Sequence, residues 1–429
     1  MGRSRGASTG MRIWLFNPFD PLPSRDPLRY SYLVSFLVNH GYSATWWTSR
    51  FAHWSKSYLT KEQLATDNRA LGPNGRIAPT WTSPYRNHVG IGRTLNHFIW
   101  AWTVYAAARR TREQPDVIFA SSPPLLAARL LGRLATERRV PLILDVVDLW
   151  PEAFEIAVPA GARWLGRQVL RPLMALETRN FRDADAITAV SETYRLNALA
   201  RSGQKPSMLV PYGIDLRTWP GRRQRGWSAE RGKIRVCYAG TLGPHHDVET
   251  VVRAAKLLES DPRIEVILAG DGPLREKLRA LAASLEVLNL TFTGWMHVNR
   301  VRELLTTCDI GIIAVTKGSV ISIPLKTFDY LAAGCAIVHS LKGELDDLVR
   351  HEGVGIRYVA GDASSLAQSI TELARNVGTI AAMGERGQRL VERVFDRELI
   401  HSRLTEFITS VAEGPRRGGA FGSLPASIS

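Results

Sequence analysis

Residues 234–255 read IRVCYAGTLGPHHDVETVVRAA. Ile234–Ala239 is a near-continuous apolar run, the mark of a parallel strand buried on both faces. Gly240-Thr241-Leu242-Gly243 then supplies a turn. Val248, Val251, Val252 and Ala255 follow at i, i+3, i+4 and i+7, one face of a helix. Strand, glycine turn and helix in that order are one unit of a doubly wound sheet. The alternation runs the length of the chain. Its apolar runs in the first half are Arg12–Phe16, Ser43–Trp47, Asp116–Ala120, Pro141–Val147, Ala186–Val190 and Met208–Pro211. In the second half they are Ile234–Ala239, Ile264–Ala269, Leu290–Thr293, Ile310–Val315, Ala336–His339 and Gly355–Val359. The expected fold is α/β, with two Rossmann-like doubly wound domains. A chain of 429 residues suits two domains, each large enough for its own core.

The boundary is legible. Residues 216–232, LRTWPGRRQRGWSAERG, mix Pro, Gly, Trp and basic residues without periodicity, as a linker does. It separates an N-terminal domain over 11–215 from a C-terminal domain over 233–395. Residues 396–412 are expected to form a last helix. The ends, 1–10 and 413–429, are expected to be disordered.

Composition narrows the class. Apolar residues at 45% and charged residues at 22% exclude a disordered chain. Cys237, Cys308 and Cys335 are too scattered for a disulfide framework or a zinc site, and read as reduced core residues of a cytoplasmic protein. No apolar run approaches the roughly 18 residues of a membrane span, and Met1–Gly10 has no apolar segment behind it. The expectation is a protein neither exported nor integral. Net charge is +15. Residues 1–215 hold 27 Lys and Arg against 16 Asp and Glu. A basic half points to a polyanion: nucleic acid, an anionic membrane surface or a phosphorylated substrate. A compositional bias toward arginine is the alternative. No nucleic-acid module is present.

Several segments can carry chemistry. Glycines at Gly240–Gly243 allow backbone N–H groups to approach an oxyanion at a helix N-terminus. His245 and His246 beside them suit a solvated turn as well as a phosphate contact. Gly270-Asp271-Gly272-Pro273 ends the next strand, where open α/β sheets bind ligands. Val315–Gly334, VTKGSVISIPLKTFDYLAAG, runs from a strand through a Gly/Ser loop into a helix beginning near Pro324 and stopped by Gly334. Lys326, Asp329 and Tyr330 share one face of it at i, i+3, i+4. A cation there can meet a diphosphate, and a carboxylate can take two ribose hydroxyls; a surface ion pair is the competing reading. In the first half, Asp148-Leu149-Trp150-Pro151-Glu152 follows a strand. Asp148 and Glu152 can orient or deprotonate a hydroxyl, or simply start a helix. Arg29, after the loop Asn17–Arg29, either reaches an anion or lies in water.

With these pieces in place, the chain resembles glycosyltransferase family four, the retaining GT-B enzymes. It is most similar to the subgroup that builds bacterial surface polysaccharides, including N-acetyl-fucosamine transferases of O-antigen clusters. The likeness covers roughly residues 11–408. It is carried by DLWPE at Asp148–Glu152, ITAVSE at Ile187–Glu192, VPYGID at Val210–Asp215, YAGTLG at Tyr238–Gly243, LAGDGP at Leu268–Pro273 and IPLKTFDYLAAG at Ile323–Gly334. The resemblance implies two domains facing across a cleft. Gly240, Thr241 and Leu242 would face the donor diphosphate, with Gly270 nearby. Lys326 would meet a phosphate and Asp329 the ribose. Trp295 and Met296 would lie by the nucleobase, and Asp148 on the acceptor side. The last helix would cross back to the N-terminal domain. Two positions depart from the family pattern. Ile321 and Asp329 stand where the family carries two glutamates eight apart, and Gly240–Asp247 lacks the usual basic residue.

The activity so implied is transfer of a hexosyl or acetamidohexosyl group, with retention, from a nucleotide-diphosphate sugar, UDP-linked, without cofactor or metal. Lys326 and Asp148 are the expected catalytic residues. The acceptor is a polyprenyl-diphosphate-linked sugar or a saccharide, in O-antigen or exopolysaccharide synthesis, on the inner face of the cell membrane. The motive for a lipid-linked acceptor is the basic first half, with aromatic and basic residues mixed through Trp46–Lys61. Leu95, Phe98, Ile99, Trp102 and Ala106 form an apolar helix face, expected in the core, with membrane contact the alternative. Arg163, Arg167 and Arg171 form a stripe at i, i+4, i+8, set for anionic headgroups or for water. Two other classes compete: a sugar-nucleotide epimerase of the same architecture, and a non-catalytic protein binding phospholipid.

Overall fold

The computed structural model describes residues 10–86, 90–151, 163–220, 232–319 and 321–414. The chain divides into two compact units. The first comprises the residues up to Tyr212 together with those from His401 onward, and the second Gly213–Ile400.

The first unit holds strands β1 (Arg12–Phe16), β2 (Ser43–Ser49), β3 (Phe51–Ala52), β4 (Ser57–Tyr58), β5 (Gly75–Thr80), β6 (Val117–Ser122), β7 (Leu142–Val146), β8 (Ala186–Ala189) and β9 (Ser207–Leu209). Seven of them form one parallel sheet in the order β5-β2-β1-β6-β7-β8-β9, while β3 and β4 pair as a small antiparallel ladder. The winding reverses between β1 and β6. The core packs Trp14, Phe16, Ile118 and Leu144 of the sheet against Trp100, Val104, Leu131 and Leu134 of two helices. His401, in the helix Arg397–Glu413, sets its ring against Tyr32 at 4.7 Å.

The second unit holds β10 (Ile234–Ala239), β11 (Ile264–Ala269), β12 (Leu290–Gly294), β13 (Ile310–Ile313), β14 (Ala336–His339) and β15 (Gly355–Arg357). They form one parallel sheet in the order β12-β11-β10-β13-β14-β15. Here the reversal lies between β10 and β13. The helix Val248–Leu258 buries Val248, Val251, Val252, Ala255 and Leu258, the face expected from their spacing.

Two readings needed correction. The strand β5, GRIAPT, was not anticipated from the sequence; it is an edge strand, where Pro79 is tolerated because one side needs no ladder. The face Leu95, Phe98, Trp102 of the helix Ile91–Arg110 does not enter the core. Asn96, His97, Trp100, Ala101, Val104 and Ala108 do, and the three apolar residues are exposed. The linker starts with a short turn at Leu216–Thr218, and 221–231 lie outside the described residues. So do 1–9 and 415–429, where disorder was expected.

Candidate active site

In the second unit, three strand ends are tied together. Gly240 N donates to Ala269 O (2.8 Å), and Gly270 N to Gly294 O (3.0 Å). Leu242 N donates to Asp271 O (2.9 Å). The two glycine turns are therefore in backbone contact. A Cβ at Gly270 would stand 1.9 Å from Gly240 O, and its φ of +145° favours glycine besides. The same bonds commit the amides of Gly240 and Leu242, so these residues shape the turn rather than donate from it. Thr241 is exposed between them.

The helix Lys326–Ala333 is anchored beneath this turn by Tyr330. Its buried hydroxyl accepts from Ala239 N (2.8 Å) and donates to Ile312 O (3.1 Å). Its ring lies over Gly311, where a Cβ would come within 2.4 Å. One turn earlier, Lys326 extends under Gly240: a Cβ there would meet Nζ at 2.9 Å. The ammonium sits 3.9 Å from the Tyr238 ring centroid. It is buried and has no hydrogen-bond partner. Burial pushes the Lys326 pKa down to about 7. The competing surface ion pair is thus not what the structure contains. Asp329 lies in the first turn of the same helix, half-buried.

His246 joins this group. Its ring stands 6.2 Å from Tyr238, and its Nδ1 is buried without a partner. Burial, and then the Lys326 charge, hold its pKa down at about 4. The loop following β13 meets the turn through Thr316 N, which donates to His245 O (3.4 Å). The two glycine turns and the loop after β13 lie at the carboxyl ends of β10, β11 and β13, beside the reversal of strand order between β10 and β13.

The first unit has its own cluster at strand ends. Asp148, beyond β7, accepts from Leu149 N (2.9 Å) and from Trp150 Nε1 (3.0 Å). The Arg93 guanidinium lies 5.3 Å from the Trp150 ring and 5.7 Å from Phe19. The buried His97 ring stands 5.3 Å from each of the same two rings. Its Nε2 has no partner, and burial followed by the Arg93 charge holds its pKa at about 3. Asp20 caps the next helix, accepting from Tyr30 N (2.6 Å) and Ser31 N (3.2 Å); burial raises its pKa to about 6.

Two domain models match the chain, "Glycosyl transferase 4-like domain" over residues 37–213 and "Glycosyl transferases group 1" over residues 223–390. The chain carries the two domains of the family-four type of glycosyltransferase, on a GT-B fold. It is 22% identical over 241 residues to the GDP-mannose-dependent monoacylated alpha-(1-6)-phosphatidylinositol monomannoside mannosyltransferase of Corynebacterium glutamicum, covering 53% of this chain and 63% of that one. It is also 22% identical over 235 residues to a putative colanic acid biosynthesis glycosyl transferase of Escherichia coli K12, covering 52% and 56%. The chain spans less than two thirds of the length of these curated relatives. Among solved structures it resembles Anabaena HepE in complex with UDP, with a TM-score of 0.66 at 16% identity over 93% of this chain and all of that one.

Gly240, Thr241, Leu242, Gly270 and Lys326 come together. Trp295, 73% exposed, and Met296 follow β12 at the same end of the sheet. Arg29 does not offer its guanidinium to a ligand. It is buried, gripping both oxygens of Asp145 at 2.7 Å and donating to Val210 O at 2.6 Å. Glu152 lies outside the described residues. Sequence reasoning missed Tyr330's anchoring hydroxyl, Arg93, His97 and Asp20. For the burial of Arg29 a signal was available in Asp145: a carboxylate inside the apolar strand LILDV demands a buried partner.

Proposed function

We propose that this chain moves a hexosyl or acetamidohexosyl group from a nucleoside-diphosphate donor to an acceptor hydroxyl, with retention, in the building of a bacterial surface polysaccharide. The observation that carries the reading is the buried Lys326 ammonium, held without a partner behind Gly240. A buried polar group is normally satisfied, so an orphaned one marks a place where a ligand completes the set. In this reading Lys326 and Thr241 meet the leaving diphosphate, and fixed positive charge lowers the barrier as that charge develops. Asp329 takes the ribose hydroxyls, and Trp295 and Met296 border the base. The acceptor hydroxyl attacks on the face the diphosphate leaves, which preserves the anomeric configuration. Asp148, held by Leu149 N and Trp150 Nε1, orients that hydroxyl.

The donor is expected to be UDP-linked, as UDP is the nucleotide in the HepE complex. The acceptor is expected to be lipid-linked, a polyprenyl diphosphate sugar. The Corynebacterium relative, by its name, acts on an acylated phosphatidylinositol mannoside. The enzyme would then work at the inner face of the cell membrane. Purified protein with labelled nucleotide sugars and a lipid extract should give an extractable labelled product. Lys326→Ala should reduce its rate by orders of magnitude with folding intact. Near-normal turnover in that variant would remove Lys326 from the mechanism.

A further inference from the structure

The helix Ile91–Arg110 is turned the wrong way for an ordinary surface helix. Its core side carries Asn96 and His97 beside Trp100, Ala101, Val104 and Ala108. Its water side carries Ile91, Leu95, Phe98 and Trp102, exposed by 88%, 52%, 49% and 54%. At about 100° per residue these four fall within an arc of roughly 60°, directly opposite the buried face. They are neighbours at i, i+4, i+7 and i+11, so they make one continuous ridge. Trp81 extends it: Thr103, next to Trp102, donates its hydroxyl to Trp81 O (2.8 Å), and the Trp81 ring is exposed. Tyr58 stands beside it, exposed, with its hydroxyl on Thr82 O (2.9 Å). Single exposed apolar residues are ordinary, but a ridge of four large ones, with Trp81 and Tyr58 exposed on the neighbouring segments, marks an interaction surface.

We propose that this ridge inserts into the headgroup–acyl boundary of an anionic membrane and seats the first unit there. The charge of the helix selects that occupant. Its 20 residues hold no Asp or Glu, and its exposed end carries Arg109 and Arg110, Arg109 also reaching Glu137 at 3.0 Å. A negatively charged lipid surface complements such a face, whereas a second copy would bring arginine to arginine. The aromatic content fits as well, since Trp and Tyr settle where one end is apolar and the other wet. Among the described residues no helix is long and apolar enough to cross a membrane, so the contact is peripheral. The buried side of the same helix places Arg93 and His97 against Trp150, beside Asp148. A lipid-linked acceptor lying along the ridge would thus present its head group one helix-width from Asp148. That last step rests on the proposed function, while the membrane contact itself does not.

The test is flotation with vesicles of phosphatidylglycerol and phosphatidylethanolamine, and with phosphatidylcholine alone, at about 0.1 M and about 1 M salt, where screening lengths are about 10 Å and about 3 Å. Wild type should bind the anionic vesicles and retain part of that binding at high salt, because apolar insertion is not screened. Its tryptophan emission should shift to the blue. The double variant Phe98→Glu, Trp102→Glu should lose about tenfold or more in partitioning. Its melting temperature should be unchanged, because both side chains face water; Phe98→Gln, Trp102→Gln serves if the acidic pair destabilises. Equal binding by a folded variant would overturn the proposal. So would a wild-type dimer, seen by light scattering, that either variant dissolves. Nucleotide-sugar thermal shifts read the second unit and should be the same in both proteins. Loss of donor binding with vesicle binding intact would defeat the functional reading and leave this one standing.

Discussion

Filling the space beside Lys326 with a diphosphate should drive a proton onto it. In the unliganded protein burial holds its pKa at about 7, against an ordinary value of 10.5. The groups around it are the Tyr238 ring, the Cys237 thiol and His246, which is neutral above about pH 4. Burial dominates, and the one opposing influence is the Cys237 thiol. A bound diphosphate would supply the missing negative charge and return the lysine toward its ordinary pKa. At pH 8 only about a tenth of the free protein carries the proton, so binding should take up about 0.9 proton; at pH 6 the figure should be about 0.1. The sign follows. Affinity is flat below pH 7, where the lysine is already charged, and falls as pH rises through 7, by about fivefold between pH 7 and pH 8. Isothermal titration of a UDP- or GDP-sugar, whose diphosphate diester does not titrate in this range, in two buffers of different ionisation enthalpy counts the protons directly. Lys326→Met should abolish the pH 8 uptake. No uptake at pH 8, or the same uptake in Lys326→Met, would refute the reasoning.

Other consequences concern the frame around the site. Tyr330→Phe strands Ala239 N and Ile312 O, both buried, and should cost about 1–3 kcal/mol in denaturant unfolding while weakening donor binding. Arg29→Met leaves Asp145 buried and uncompensated, and should cost about 3–5 kcal/mol, visible as lost soluble protein or a lowered melting temperature. Asp20→Asn keeps an oxygen for the Tyr30 and Ser31 amides but removes a charge that burial opposes. The native carboxyl binds its proton more tightly than the unfolded one, so its penalty grows as pH rises from 3.8 through about 6 and is complete above that. The variant should be at least as stable as wild type in thermal melts at pH 7.5, and no stabler at pH 3.5.

The two parallel sheets were legible because a strand buried on both faces writes itself as a continuous apolar run. Ile234–Ala239, Ile264–Ala269 and Ala336–His339 begin and end where the sequence places them. β5 was hidden because an edge strand tolerates Pro79 and needs no such run. At the site, local spacing was enough to put Lys326 and Asp329 at the start of one helix beside a Gly/Ser loop. It was not enough to set that helix under the glycine turn at Gly240 or to reveal what fixes it there. Tyr330 reaches Ala239, 91 residues away, and the Arg29–Asp145 pair spans 116. Spacing also could not orient the helix Ile91–Arg110. Apolar residues surround it, and only the packing of Trp100 and Val104 against the sheet decides which face is left in water.

The central claim is that a nucleotide-sugar diphosphate completes the unpartnered Lys326 behind Gly240. Thermal shift of wild type and Lys326→Met against a panel of UDP- and GDP-sugars tests it most directly. Replacing a buried, partnerless amine with an apolar chain of similar length should leave the unliganded melting temperature equal or higher. The account predicts that one nucleotide-sugar class stabilises wild type and leaves the methionine variant unmoved. Equal stabilisation of both proteins by the same nucleotide sugar would contradict it.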